Sequence, residues 1–182
     1  MGLGANPIEY ITHDTGDWIL IFLVVTLSIS PARKLLHQPL LIRFRRMVGL
    51  FAFFYAFVHF GIWIGLDKFF DLSDMTADVM KRRFITVGFA GFVLMIPLTI
   101  TSTAGWIRRL GGKRWQRLHQ LIYVIACAGV IHYYWLVKSD TRKPVRYGIT
   151  VALLVGYRLV AKLARQRKST AAPERSLVSS AP

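Results

Sequence analysis

Long apolar runs joined by short, charged connectors set the pattern of this chain. Five runs stand out: Asp17–Ser30 (DWILIFLVVTLSIS), Met47–Leu66 (MVGLFAFFYAFVHFGIWIGL), Phe84–Ile107, Leu118–Val137 (LHQLIYVIACAGVIHYYWLV) and Val145–Leu163. About 20 apolar residues, at roughly 1.5 Å each along a helix, cover the hydrocarbon core of a bilayer. Each run therefore predicts a membrane helix. The first is short and is limited by Pro31, so one of its ends should thin the bilayer. The third contains Pro97, which predicts a kink, with Thr99, Thr101, Ser102 and Thr103 close enough to satisfy the backbone groups the proline frees. The fifth contains Arg158, near enough to its end to snorkel to the headgroups. No internal repeat is visible. The pattern predicts an all-α integral membrane helical bundle of about five transmembrane helices.

Composition agrees with the pattern. The 182 residues are 54% hydrophobic with a mean hydropathy of +0.43, too apolar for an ordinary soluble domain. The formal charge of +15 would suit a nucleic-acid binder. Here, however, the cations cluster between apolar runs: Arg33, Lys34, Arg43, Arg45 and Arg46; Arg108, Arg109, Lys113, Arg114 and Arg117; Lys162, Arg165, Arg167 and Lys168. That is the positive-inside pattern of cytoplasmic loops, and it argues against nucleic acid as a partner. The N-terminal segment is acidic (Glu9, Asp14, Asp17), and 67–83 balances both signs. These place the N-terminus outside and the C-terminus in the cytoplasm; the basic loop Lys138–Arg146 argues weakly the other way. The start MGLGANPIEYITHDTGDW lacks the basic and apolar regions of a cleavable signal. Three regions follow: an outer segment at 1–16, a transmembrane domain at 17–163 and a disordered cytoplasmic tail at 164–182, rich in Ser, Ala and Pro.

The chemistry is carried by histidine. His59 and His132 lie deep within the second and fourth runs, where an ionisable group is costly unless it is used. Both helices should run outward from a basic cluster. His59 is 13 residues beyond Arg46 and His132 is 15 beyond Arg117, so the two should match in depth within about 3 Å. Imidazole is the usual axial ligand of haem iron, and a pair at equal depth on parallel helices predicts a haem between them. Small residues would let a porphyrin approach: Ala56 and Gly61 beside His59, Ala128 and Gly129 beside His132. Aromatics flank the same region (Phe57, Phe60, Trp63, Tyr133, Tyr134, Trp135). The bland alternative is that each histidine bonds a neighbouring helix or lines a polar cavity. No Asp or Glu is expected buried inside the spans, where one would favour a proton-coupled transporter.

Other groups are weaker candidates. His119 lies 13 residues before His132, roughly 20 Å along a helix. That is room for a second, inner haem, although the two rings should differ in azimuth by roughly 140° and the depth-matched positions on the second span are Arg45 and Arg46. Headgroups, a flavin or a quinone are alternative roles for it. His37 is a poorly placed inner partner, and His13 is expected in an exposed outer loop. Arg43, Arg45 and Arg46 read as topogenic charges that could also hold a phosphate of flavin or lipid. Gly111–Gly112 reads as a turn. Cys127, the sole cysteine, excludes an internal disulfide and reads as a small buried hydrophobe.

The segments NPIEYITHDTGDW, LIRFRRMVGLFAFFYAFVHF, KRRFITVGF, RRLGGKRWQRLHQLIY and HYYWLVK resemble, in order and spacing over about residues 6–160, the haem-binding membrane subunits of the bacterial protein-methionine-sulfoxide reductase system. This is the MsrQ family (formerly YedZ), within the ferric-reductase-like transmembrane group. The resemblance implies a multi-pass b-type cytochrome of the bacterial inner membrane, with haem b and FMN as cofactors. Its electrons would come from the quinone pool or a cytosolic flavin reductase and pass to a periplasmic MsrP-type molybdopterin enzyme that repairs oxidised proteins. The family's haem histidines fall on His59, His119 and His132. Two departures stand out. Arg45 occupies the place of an additional inner histidine in the wider group, and relatives commonly carry an extra, sixth span before NPIEYITH, where this sequence has Met1–Ala5. The rival functions are a stand-alone transmembrane ferric or quinone reductase and a haemless transporter or membrane anchor.

Overall fold

A computed structural model describes residues 6–137 and 139–178, with the backbone alone at Arg165 and beyond Arg167. Among the described residues there is no strand. Eight α-helices follow one another: α1 (Pro7–Leu35), α2 (Leu41–Ile62), α3 (Leu72–Lys81), α4 (Arg83–Ile100), α5 (Ala104–Leu110), α6 (Gly112–His119), α7 (Leu121–Leu136) and α8 (Arg142–Val178), with a π-turn at Trp63–Asp67 extending α2. α1 packs chiefly on α2 and α4 on α7, while α8 lies against α7 and α1. The core is a narrow seam (Leu20, Leu23, Leu27, Ala52, Ala56, Met95, Leu98, Ile122, Ile125, Ala126, Val151). Large apolar side chains such as Phe54, Phe57, Leu153 and Val160 point outward, as a lipid-facing surface requires. α1, α2 with its π-turn, α4 and the first part of α8 are each long and apolar enough to cross a membrane. α7, at 16 residues, is shorter than the expected fourth span at Leu118–Val137, with α6 leading into it. The chain is a multi-pass membrane protein.

The first run is longer than expected. α1 starts at Pro7, where Asn6 caps it by accepting from the Glu9 amide at 3.3 Å, so the outer segment expected at 1–16 is, from Pro7 on, the first part of this helix. Nor does Pro31 end it. A proline inside a helix leaves the carbonyl four residues earlier without its amide, here that of Leu27. Arg158 of α8 fills the gap: its Nη2 donates to the Leu27 carbonyl at 2.8 Å while its Nη1 donates to the Tyr123 hydroxyl. Arg158 therefore reaches into the bundle rather than snorkelling out. Pro97 also behaves differently. Helix α4 stops at Ile100 and α5 begins at Ala104, so the third run is broken rather than kinked. Thr99, Thr101 and Ser102 bond the carbonyls of Met95, Pro97 and Leu98, not that of Val93, which lies four residues before the proline, and Thr103 caps α5.

The connector after α2 holds a helix. Asp71 caps α3, and buried Lys68 is clasped by Asp74 at 2.7 Å and Asp78 at 2.5 Å, with Arg82 Nε 3.2 Å from Asp78. The hydrogen bond from Lys68 holds the Asp74 carboxyl below its ordinary range, and the bonds to Asp74 and then Asp78 push the Lys68 ammonium up. Gly111, with φ of 71°, makes the predicted turn between α5 and α6. Cys127 is exposed on α7, contrary to the buried role expected of it, because its face of the helix turns away from the seam. The expected tail at 164–182 has helical backbone to Val178, and its side chains at Arg165 and from Lys168 on lie outside the described residues, as does Lys138.

Candidate haem site between four helices

The sequence puts His59 one turn before the end of α2 and His132 near the end of α7. The bundle brings their rings to 6.2 Å, centre to centre, with planes at 83°. Two bonds of about 2 Å from a metal to imidazole nitrogen, plus about 1 Å from each nitrogen to its ring centre, also total about 6 Å. The two helices thus bring the rings close enough for one metal ion to lie between them. Both rings border a cavity of about 550 Å³ between α1, α2, α4 and α7, a size typical of sites for organic cofactors.

Each ring is fixed through Nδ1. His59 Nδ1 lies 3.1 Å from the Thr12 carbonyl of α1 and 3.1 Å from Thr15 Oγ1; His132 Nδ1 lies 2.6 Å from the Phe84 carbonyl of α4. A carbonyl accepts only from a donor, so each Nδ1 carries its proton and each Nε2 keeps a lone pair. No hydrogen bond among the described residues engages either Nε2. This is the arrangement of metal-ligating histidines, whose second nitrogen is oriented by an outer acceptor.

The two anchors share a local design. In a helix the carbonyl of residue i already accepts the amide of i+4. A ring can share that carbonyl only if the side chain at i+4 leaves room. Thr12 is followed at that spacing by Gly16, and Phe84 by Gly88. A Cβ on Gly88 would come within 2.5 Å of His132 Nδ1, whereas one on Gly16 would stand 3.5 Å from the His59 ring, in ordinary contact. The seat for His132 thus demands glycine, and the seat for His59 is looser.

The predicted surroundings are met in part. Ala56, Gly129, Phe60, Trp63 and Tyr133 line the cavity. Gly61 is exposed with nothing near it, Ala128 packs toward Gly91 of α4, and Phe57, Tyr134 and Trp135 face outward. Trp63 Nε1 is buried without a hydrogen-bond partner among the described residues. His13 lies on α1 at the cavity rim, 6.5 Å from the Tyr133 ring, rather than in a loop. Asp17 corrects the expectation that no carboxylate enters the spans: with α1 beginning at Pro7 it falls within the helix, lines the cavity and pairs with Lys143 of α8 at 2.8 Å.

His119 is not part of this cavity. Its Nε2 meets Thr101 Oγ1 at 3.0 Å, and its ring stacks on Trp115 at 4.0 Å. No second histidine faces it among the described residues, and His37 is exposed in the turn between α1 and α2, with φ of 54°. Thr12, Thr15, Gly16, Phe84 and Gly88 are the site residues that sequence reasoning missed. The four-residue spacing from Thr12 to Gly16 is visible in ITHDTG, but carbonyl acceptors leave no mark in side-chain identity.

The family model described as ferric reductase like transmembrane component matches residues 15–130. The chain is 54% identical to the protein-methionine-sulfoxide reductase heme-binding subunit MsrQ of Herminiimonas arsenicoxydans, over 93% of the chain and 78% of that protein. Identity to the subunit of the same name is 50% in Rhodospirillum rubrum (93% of the chain, 81% of the relative) and 49% in Caulobacter vibrioides (86% and 75%). No solved structure matches significantly.

Proposed function

This chain belongs to the ferric-reductase-like transmembrane family and, within it, to the MsrQ subunits, and from that premise we propose that it is the haem-binding, electron-carrying partner of a methionine-sulfoxide reductase. The observation that carries the ligand reading is the His59–His132 pair, 6.2 Å apart and held through both Nδ1 atoms. His59 and His132 would hold the iron, and Gly88 and Gly129 would give room for ring and macrocycle. Leu20, Leu23, Phe92, Met95 and Ile125 line the inner part of the cavity and keep water away. Haem b bound there supplies a one-electron iron couple. The chain's own contribution is ligand identity, orientation and a low dielectric.

The positive-inside rule puts the cavity toward the outer side. Asn6, Glu9, His13, Asp67 and Arg82 line it at that end, while the three basic clusters lie at the other. That favours a partner docking outside: an MsrP-type molybdopterin enzyme, in the periplasm of a bacterium whose inner membrane holds this bundle. Donation from the quinone pool or a flavin reductase, with FMN as an intermediary, would then occur at the cytoplasmic end near His119 and Arg45. The test is reoxidation. Purified chain reduced with dithionite should be reoxidised when the methionine-sulfoxide reductase subunit and methionine sulfoxide are added together, and not by either alone. Absence of reoxidation with an active subunit would refute the partnership.

A further inference from the structure

The two histidine anchors are unequal. His132 has one acceptor, at 2.6 Å, whereas His59 has two, at 3.1 Å each, the second being the Thr15 hydroxyl. Thr15 is buried in the interior of α1, at 8% exposure. Its own proton has the Ile11 carbonyl at 2.9 Å and the Thr12 carbonyl at 3.0 Å, so a lone pair on Oγ1 is directed to His59 Nδ1–H. An acceptor on Nδ1–H draws that proton, makes Nε2 a stronger donor and favours the oxidised metal. We propose that Thr15 is a positioning residue that, through its hydroxyl on His59 Nδ1, lowers the reduction potential of the haem held by His59 and His132.

This rests on the ligand reading above, and the two can fail separately. A helix needs no hydroxyl at Thr15: threonine in a helix interior commonly bonds its own preceding turn and gains little by it. Valine keeps the shape and the β-branching while removing the hydroxyl, acceptor and donor together; serine keeps both. The experiment is a spectroelectrochemical titration of the full-length chain in detergent, with haem quantified, for wild type, Thr15→Val and Thr15→Ser. Thr15→Val should retain haem and titrate at a higher potential, and Thr15→Ser should return toward wild type. An unchanged or lowered potential in Thr15→Val overturns the proposal. So does loss of haem from Thr15→Val, which would make the hydroxyl a requirement for assembly rather than a determinant of potential. A wild-type chain without haem refutes the ligand reading itself.

Discussion

At the scale of single residues, the site is a matter of what is absent from two helix faces. Gly88 lets the His132 ring reach the Phe84 carbonyl, and a methyl there would overlap the ring at 2.5 Å. Gly88→Ala should therefore weaken haem binding by roughly 10- to 100-fold, the usual cost of disturbing an outer-shell partner. Gly16→Ala, adding a methyl at 3.5 Å from His59, should keep the haem. Pyridine haemochrome quantitation on both variants checks the contrast; equal retention in both would contradict it. The proposed ligands are legible in the sequence as two imidazoles set deep in long apolar runs, where an ionisable group is costly. Their anchors are not, since the acceptors are groups on helices 44 or more residues away in the chain.

At the scale of elements, helices are plain in the sequence and their interruptions are not. Hydropathy marks an apolar run whatever proline it contains, but whether the proline ends, kinks or merely passes depends on which group takes the freed carbonyl. For Pro31 that is Arg158, 131 residues from Leu27. Arg158→Leu should cost about 1–3 kcal/mol, the penalty of a stranded buried acceptor. In a Pro31→Ala background, where the substituted residue regains an amide that can bond the Leu27 carbonyl, the cost should fall. Thermal unfolding of the four proteins in detergent measures the coupling; an equal cost in both backgrounds would remove the link. Elsewhere, α3 is tied by Lys68 and Asp74. Asp74 is held low, so its contribution is full above the ordinary carboxylate value and fades as pH falls through the lowered one. Lys68 is raised, so its contribution is full below the ordinary lysine value and is lost as pH climbs through the raised one. Hydrogen-exchange protection of α3, corrected for intrinsic rates, should drop at about pH 3 relative to about pH 6. Lys68→Met should abolish most of that difference.

At the scale of the whole molecule, charge and cavity carry the proposed orientation: the three basic clusters share one end of the bundle, and the histidine cavity borders Asn6, Asp67 and Arg82 at the other. A reporter that works only outside the cytoplasm should be active when inserted at the Phe69–Phe70 turn and inactive when fused after the last residue. The reverse would invert the direction of electron flow. The all-α class follows from run lengths, and the nearness of His59 to His132 from their places in those runs. That Asp17 and His13 border the cavity does not, because α1 begins ten residues earlier than its apolar stretch. Everything turns on one ligand pair. Reduced-minus-oxidised spectra of the purified chain, with haem quantified, should show a b-type haem in the wild type and its loss in both His59→Ala and His132→Ala. A full reduced Soret band in either variant would contradict it.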